Sequence, residues 1–134
     1  MCRRIPAALV LAALIATMEA AGARTAMAHA LVVESEPAAG ARVSPAPRAV
    51  RIRFNSKIER RLSRLSLIGP DRCPVPLTIA PDEPGEVARP DRLTALLPPL
   101  GPGAHAIRWR VLAADGHITE GTIRFTVAAN PRGP

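Results

Sequence analysis

Tyrosine is absent from this 134-residue chain, and Phe54, Phe125 and Trp109 are its whole aromatic complement. Stacking platforms for nucleic-acid bases and flat aromatic surfaces for sugars are therefore missing, although the chain carries a net charge of +7. Cysteine is nearly absent: Cys2 and Cys73 are the only two. If the first few dozen residues are removed, no intramolecular disulfide can form. Methionine occurs only at Met1, Met18 and Met27, so everything beyond residue 27 lacks a thioether donor. The longest apolar run, residues 5–18, falls short of the about 20 residues needed to span a bilayer, and no later run approaches it.

That early run has a different explanation. Arg3 and Arg4 precede it, and Ala26-Met27-Ala28 follows with small residues at the two positions that a signal peptidase reads. Residues 1–28 are expected to be a secretory signal peptide, and residues 29–134 the mature domain. A competing cut after Ala23 would leave Arg24 first. Cleavage after Ala28 makes His29 the new terminus, with an imidazole and a free α-amino group on one residue. Two nitrogen donors so close can chelate one metal ion.

The mature chain of 106 residues has room for one domain and one core. It keeps 15 Lys+Arg against 10 Asp+Glu, a net +5 that is almost entirely arginine. Nucleic acid is not an expected partner, because the aromatics are missing and the chain is exported. Arg51, Arg53, Arg108, Arg110 and Arg124 alternate with apolar residues, as on the solvated faces of strands. Attraction to anionic surfaces is the remaining, unspecific consequence of the charge.

No segment sustains helical periodicity; short alternating runs are broken instead by proline and glycine. Strands are expected at 31–35, 50–54, 65–68, 75–79, 93–97, 107–111 and 123–127. Pro76 suits an edge position in the fourth of these. A surface loop is expected over 80–91, and 60–65 has the option of a helical turn. About seven short strands in about 100 residues point to an all-β sandwich or small barrel.

Of three histidines, two have special settings: His29 at the expected terminus, and His117 in Asp115-Gly116-His117. In an extended segment, residues two apart point to the same side, and Gly116 lets the backbone bend to aim them. His29, Asp115 and His117 are the candidate metal ligands, with Cu(II) favoured by a nitrogen-rich set carrying one carboxylate, and zinc able to use the same donors. The plain alternative is that Asp-Gly marks a hairpin turn and His117 is a solvated loop residue. His105 shares the parity of Ile107, Trp109 and Val111 and reads as a partly packed strand-end residue, not a ligand. Cys73, in Asp71-Arg72-Cys73-Pro74, reads as a partly buried thiol without a role.

Three segments together resemble the CopC family of periplasmic copper-binding proteins: His29-Ala30-Leu31-Val32-Val33-Glu34-Ser35-Glu36-Pro37-Ala38-Ala39-Gly40-Ala41, Val50-Arg51-Ile52-Arg53-Phe54-Asn55, and Trp109-Arg110-Val111-Leu112-Ala113-Ala114-Asp115-Gly116-His117 running on through Gly121 to Phe125. The resemblance covers nearly all of the mature chain. It implies an immunoglobulin-like Greek-key β-sandwich with one Cu(II) site on an N-terminal histidine and the aspartate and histidine of D-G-H, which map onto His29, Asp115 and His117. Some members also bind Cu(I) through a methionine-rich loop; with no methionine after Met27, that second site is not expected here. The chain departs from the family at His105, where tyrosine is frequent, and at Lys57, where an acidic residue is common.

The resulting expectation is a soluble, monomeric, non-enzymatic periplasmic copper carrier or buffer in copper homeostasis or resistance. Its partners would be the copper ion and an inner-membrane importer or another periplasmic copper protein. Two other classes compete with it. One is an oxidative copper enzyme built on the same N-terminal histidine; the other is a metal-free β-sandwich interaction module.

Overall fold

The computed structural model describes residues 29–81, 85 and 87–130. The expected signal peptide lies outside these residues, as does the middle of the loop expected over 80–91. Eight strands are present among the described residues: β1 (Val32–Glu36), β2 (Arg42–Val43), β3 (Ala49–Phe54), β4 (Arg64–Ile68), β5 (Pro74–Leu77), β6 (Arg92–Leu96), β7 (Gly103–Leu112) and β8 (Ile118–Val127). The only helical element among the described residues is a 3₁₀ turn at Arg60–Leu62, inside the segment whose sequence left that option open.

The strands form two sheets, one of three strands in the order β1-β3-β6 and one of five in the order β2-β8-β7-β4-β5. Only β4-β5 and β7-β8 are sequential neighbours. Every other connection crosses between sheets, which makes the molecule a Greek-key, immunoglobulin-like sandwich, not a barrel. Alternation drives the layering. Val50, Ile52 and Phe54 face Ile107, Trp109, Val111, Ile123 and Phe125 across one buried core, while Arg51, Arg108, Arg110 and Arg124 stay exposed. Trp109 packs edge-on against Phe54, with ring centroids 5.3 Å apart, tying the two sheets together.

Two departures from the sequence pattern have local causes. β2 has only two residues, too few to show alternation, and joins β8 in parallel register through Arg42↔Thr126 and Val43↔Val127. The run expected over 75–79 splits. Its first part is the edge strand β5, as Pro76 suggested, whereas Ile79 bridges Ala95 in the opposite sheet and Ala80 N–H donates to Thr94 O at 2.7 Å. The chain thus changes sheets within two residues of Leu77.

Candidate metal centre

β7 and β8 are joined at one end of the sandwich by Ala113, Ala114, Asp115, Gly116 and His117. Gly116 N–H donates to Ala113 O at 2.9 Å, and Ala113 N–H donates to His117 O at 2.9 Å. Gly116 has φ +85°, a left-handed conformation that glycine adopts without penalty. The Ala113–His117 pair thus closes a tight turn of three residues, Ala114, Asp115 and Gly116, so the plain reading of Asp-Gly as a turn is correct as far as it goes. The turn is also what aims the side chains. Asp115 and His117 converge because they flank a left-handed glycine, not because the segment is extended.

Asp115 clasps His117 twice. Its Oδ1 accepts the His117 backbone N–H at 2.9 Å, and its Oδ2 lies 3.2 Å from His117 Nδ1. The backbone bond is the larger of the influences holding the Asp115 carboxyl below its usual range, ahead of the side-chain bond and the fields of His117 and His29; desolvation opposes them. A carboxylate is therefore available as an anionic donor well into mildly acidic solution. With Nδ1 of His117 turned to Asp115, Nε2 is the ring nitrogen left for another partner.

His29 reaches this turn from the other sheet. Its ring lies edge-on to that of His117, with centroids 5.2 Å apart and planes at 89°. The segment behind it is clamped at three points. Leu31 N–H donates to Asn55 Oδ1 at 2.8 Å, Asn55 N–H donates to Leu31 O at 3.0 Å, and the Thr119 hydroxyl donates to Ala30 O at 3.1 Å. Asn55 closes β3 and Thr119 opens β8, so residues from both sheets fix the approach of His29. Ala30 is fully buried between them.

One donor atom each from His29, Asp115 and His117 all lie within 4.8 Å of one another. Donors about 2.1 Å from one ion lie about 3 Å apart when adjacent and about 4 Å apart when opposite, so the three side chains would draw inward to hold it. His29 Nδ1 is buried and has no hydrogen-bond partner in the protein, an unsatisfied acceptor or donor that a ligand would satisfy. The three residues thus fit a small cation, and no other such cluster occurs among the described residues.

The remaining sequence expectations divide. His105 is buried on the core side of β7, donates from Nε2 to Gly101 O at 2.8 Å and stacks on Phe125, far from the trio in register, as a packed residue should. Lys57 lies beside the turn: its carbonyl accepts Ala114 N–H at 3.0 Å, and its side chain is exposed. Cys73 corrects the expectation of a partly buried thiol. It is exposed, because Asp71 Oδ1 captures its backbone N–H at 3.1 Å and Arg72 turns the chain outward with φ 61°. Asn55 and Thr119 received no role from their types or spacing. Thr119 carried a signal nonetheless, since it shares the inward parity of Ile123 and Phe125, and a hydroxyl on a core face needs a partner.

A two-sheet sandwich with a histidine–carboxylate cluster at one end defines the class: a small, all-β sandwich protein. The CopC domain family matches residues 32–128, and the chain belongs to that family. Among solved structures, CopC from Methylosinus trichosporium OB3b is similar with a TM-score of 0.68 and 30% identity, over 79% of this chain and 100% of that one. PcoC, a methionine-rich copper resistance protein from Escherichia coli, is similar with a TM-score of 0.59 and 27% identity, over 75% and 99%. The protein YobA of Escherichia coli K12 is 31% identical over 100 residues, which is 75% of this chain and 79% of YobA.

Proposed function

We propose that the chain is a periplasmic Cu(II)-binding protein that carries or buffers copper in homeostasis or resistance, without catalysing a reaction. The observation that carries this reading is the convergence of His29, Asp115 and His117 within 4.8 Å at the mouth between the sheets. Cleavage after Ala28 frees the His29 amine, which with the His29 ring forms a chelate; His117 supplies a third nitrogen and Asp115 an oxygen. That donor set suits the tetragonal N,O preference of Cu(II), which also heads the divalent affinity order. Membership of the CopC family and the likeness to a copper resistance protein support the choice of metal.

The same donors argue for transfer over chemistry. Asp115 would fill a position that an oxidative copper centre needs for oxygen, and a carboxylate there favours holding the ion. An exposed site at the end of a rigid sandwich releases its cargo to a membrane importer or a second periplasmic protein with little rearrangement. PcoC is described as methionine-rich, whereas this chain has no methionine after Met27, so a Cu(I) thioether site forms no part of the proposal.

Titration of the exported protein with Cu(II), followed by electron paramagnetic resonance, tests the assignment. Nitrogen hyperfine structure at one equivalent is expected, and His117→Ala should lower affinity at least tenfold, the scale on which even supporting residues act. One extra residue placed before His29 should weaken binding sharply by removing the amine. Full affinity in that extended form would reject the chelate.

A further inference from the structure

The two outer faces of the sandwich differ in how their arginines are balanced. On the three-stranded sheet, Arg51 pairs with Glu36 at 3.2 Å and Arg53 with Glu34 at 3.1 Å. On the five-stranded sheet, the register sets Arg64 directly opposite Arg110, with Arg108 two residues along β7; Arg124 on β8 and Arg42 on β2 point outward on the same face. Glu120, opposite Arg110, is the one carboxylate on the strands of this face, and Asp71 lies at its end beside Gly69. None of these five arginines forms an ion pair with a described residue. Arg64 instead folds back on its own chain, donating to Arg61 O at 3.2 Å and Ser63 O at 2.9 Å.

Like charges placed directly opposite each other on a sheet are destabilising. Arg53 also faces Arg92 on the three-stranded sheet, but there Glu34 and Glu36 offset the arginines, whereas five arginines against Glu120 leave this face with the larger positive surplus. Adjacent strands lie about 4.8 Å apart and alternate residues about 7 Å along a strand, so the guanidinium groups spread over a broad patch. Between them lie small residues, not anchors: Ser66, Thr122, Ala104 and Ala106. A protein partner ordinarily needs aromatic or large apolar anchors, and the middle of this face offers none. At its far end, a cavity whose lining includes Ala104, Ala106, Arg72 and Arg124 brings two arginines to one recess, the residue type that pairs best with phosphate.

We propose that the outer face of the five-stranded sheet docks the protein on an anionic phospholipid membrane, with a headgroup phosphate seated between Arg72 and Arg124. The proposal rests on the export reading, which puts the chain beside a membrane, but it needs no metal. Docked in this way, the protein moves in two dimensions along the bilayer with the β7-β8 turn at the border of the bound face.

Vesicle flotation of the metal-free exported protein, its N-terminus verified by mass, tests this at low ionic strength. Vesicles containing phosphatidylglycerol should carry the protein up the gradient, pure phosphatidylcholine vesicles should not, and added salt should reverse the binding. The triple variant Arg108→Gln, Arg110→Gln, Arg124→Gln should partition on the order of a hundredfold more weakly, by the usual contribution of each basic residue at an anionic surface. The triple variant Arg51→Gln, Arg53→Gln, Arg92→Gln removes the same charge from the opposite face and should keep most of the binding. Trp109 emission verifies that both variants are folded. Equal loss in the two variants would reduce the effect to net charge and overturn the proposal. So would equal partition to both vesicle types. Because no copper is present, failure here leaves the metal site untouched, and failure of the copper titration leaves this surface untouched.

Discussion

Asp115 is both a clasp and a candidate ligand, and the two roles separate by substitution. In Asp115→Asn, the side-chain oxygen can still accept the His117 backbone N–H, which holds the turn at 2.9 Å in the parent, but the anionic donor is lost. Cu(II) affinity should fall about tenfold or more, with the melting temperature of the metal-free protein nearly unchanged; unchanged affinity would make Asp115 a positioning residue only. The pH dependence follows from the same atoms. Because the Asp115 carboxyl is held below its usual range in the folded chain, its contribution to stability is present above the unfolded carboxyl's pKa and is lost as pH falls through the lowered folded value. Copper should be lost earlier, since imidazole and amine donors must shed their protons to bind. A copper titration repeated at stepwise lower pH should therefore show affinity falling while the fold, followed by Trp109 emission, persists. Simultaneous loss of both would mean that the site has no titration of its own.

Elements, more than single residues, decide where His29 goes. The start of β8 and the end of β3 each contribute one polar side chain to the segment that follows it, so Thr119→Val and Asn55→Ala are expected to act at a distance from the metal. Each removes a bond of 3.1 Å or less and should weaken copper binding several-fold through a looser terminus, while leaving the hyperfine pattern of the bound ion intact. A changed pattern would place these residues in contact with the ion. β8 carries a second constraint at Gly121, opposite Trp109 in the ladder. A Cβ there would sit 2.6 Å from the indole Cζ2, closer than packed carbons approach. Gly121→Ala should destabilise the protein by about 1–3 kcal/mol in urea unfolding, the usual penalty of overpacking, and a neutral result would show that Trp109 has room to swing.

At the scale of the molecule, alternation made most of the architecture legible before any coordinates. β3, β7 and β8 show one apolar face and one arginine face each, and proline and glycine mark their ends. β2 was not legible, because two residues carry no period and its partnership with β8 is set by the loops around it. Nor was the switch of Ile79 to the other sheet, which depends on where β6 lies, not on the residue itself. The candidate trio was legible through His29 and the Asp-Gly-His motif, but its convergence depends on two sheets meeting, and the clamp of Asn55 and Thr119 is a tertiary matter throughout. Copper should bind the folded state alone, so at a free concentration a hundredfold above Kd it should add about 2.7 kcal/mol of stability. Calorimetry of the exported protein with and without Cu(II) should then show a rise in melting temperature on the order of ten degrees, and no rise would exclude a site confined to the native fold.

The Thr119–Ala30 bond joins positions 89 residues apart. Closing so long a loop costs more chain entropy than closing a short one, so the contact that completes the candidate pocket is expected to form with the two sheets and not before them. If the trio holds copper as proposed, a newly exported molecule should have little hold on the ion until its sandwich is shut, and a damaged one should surrender it when the two sheets part.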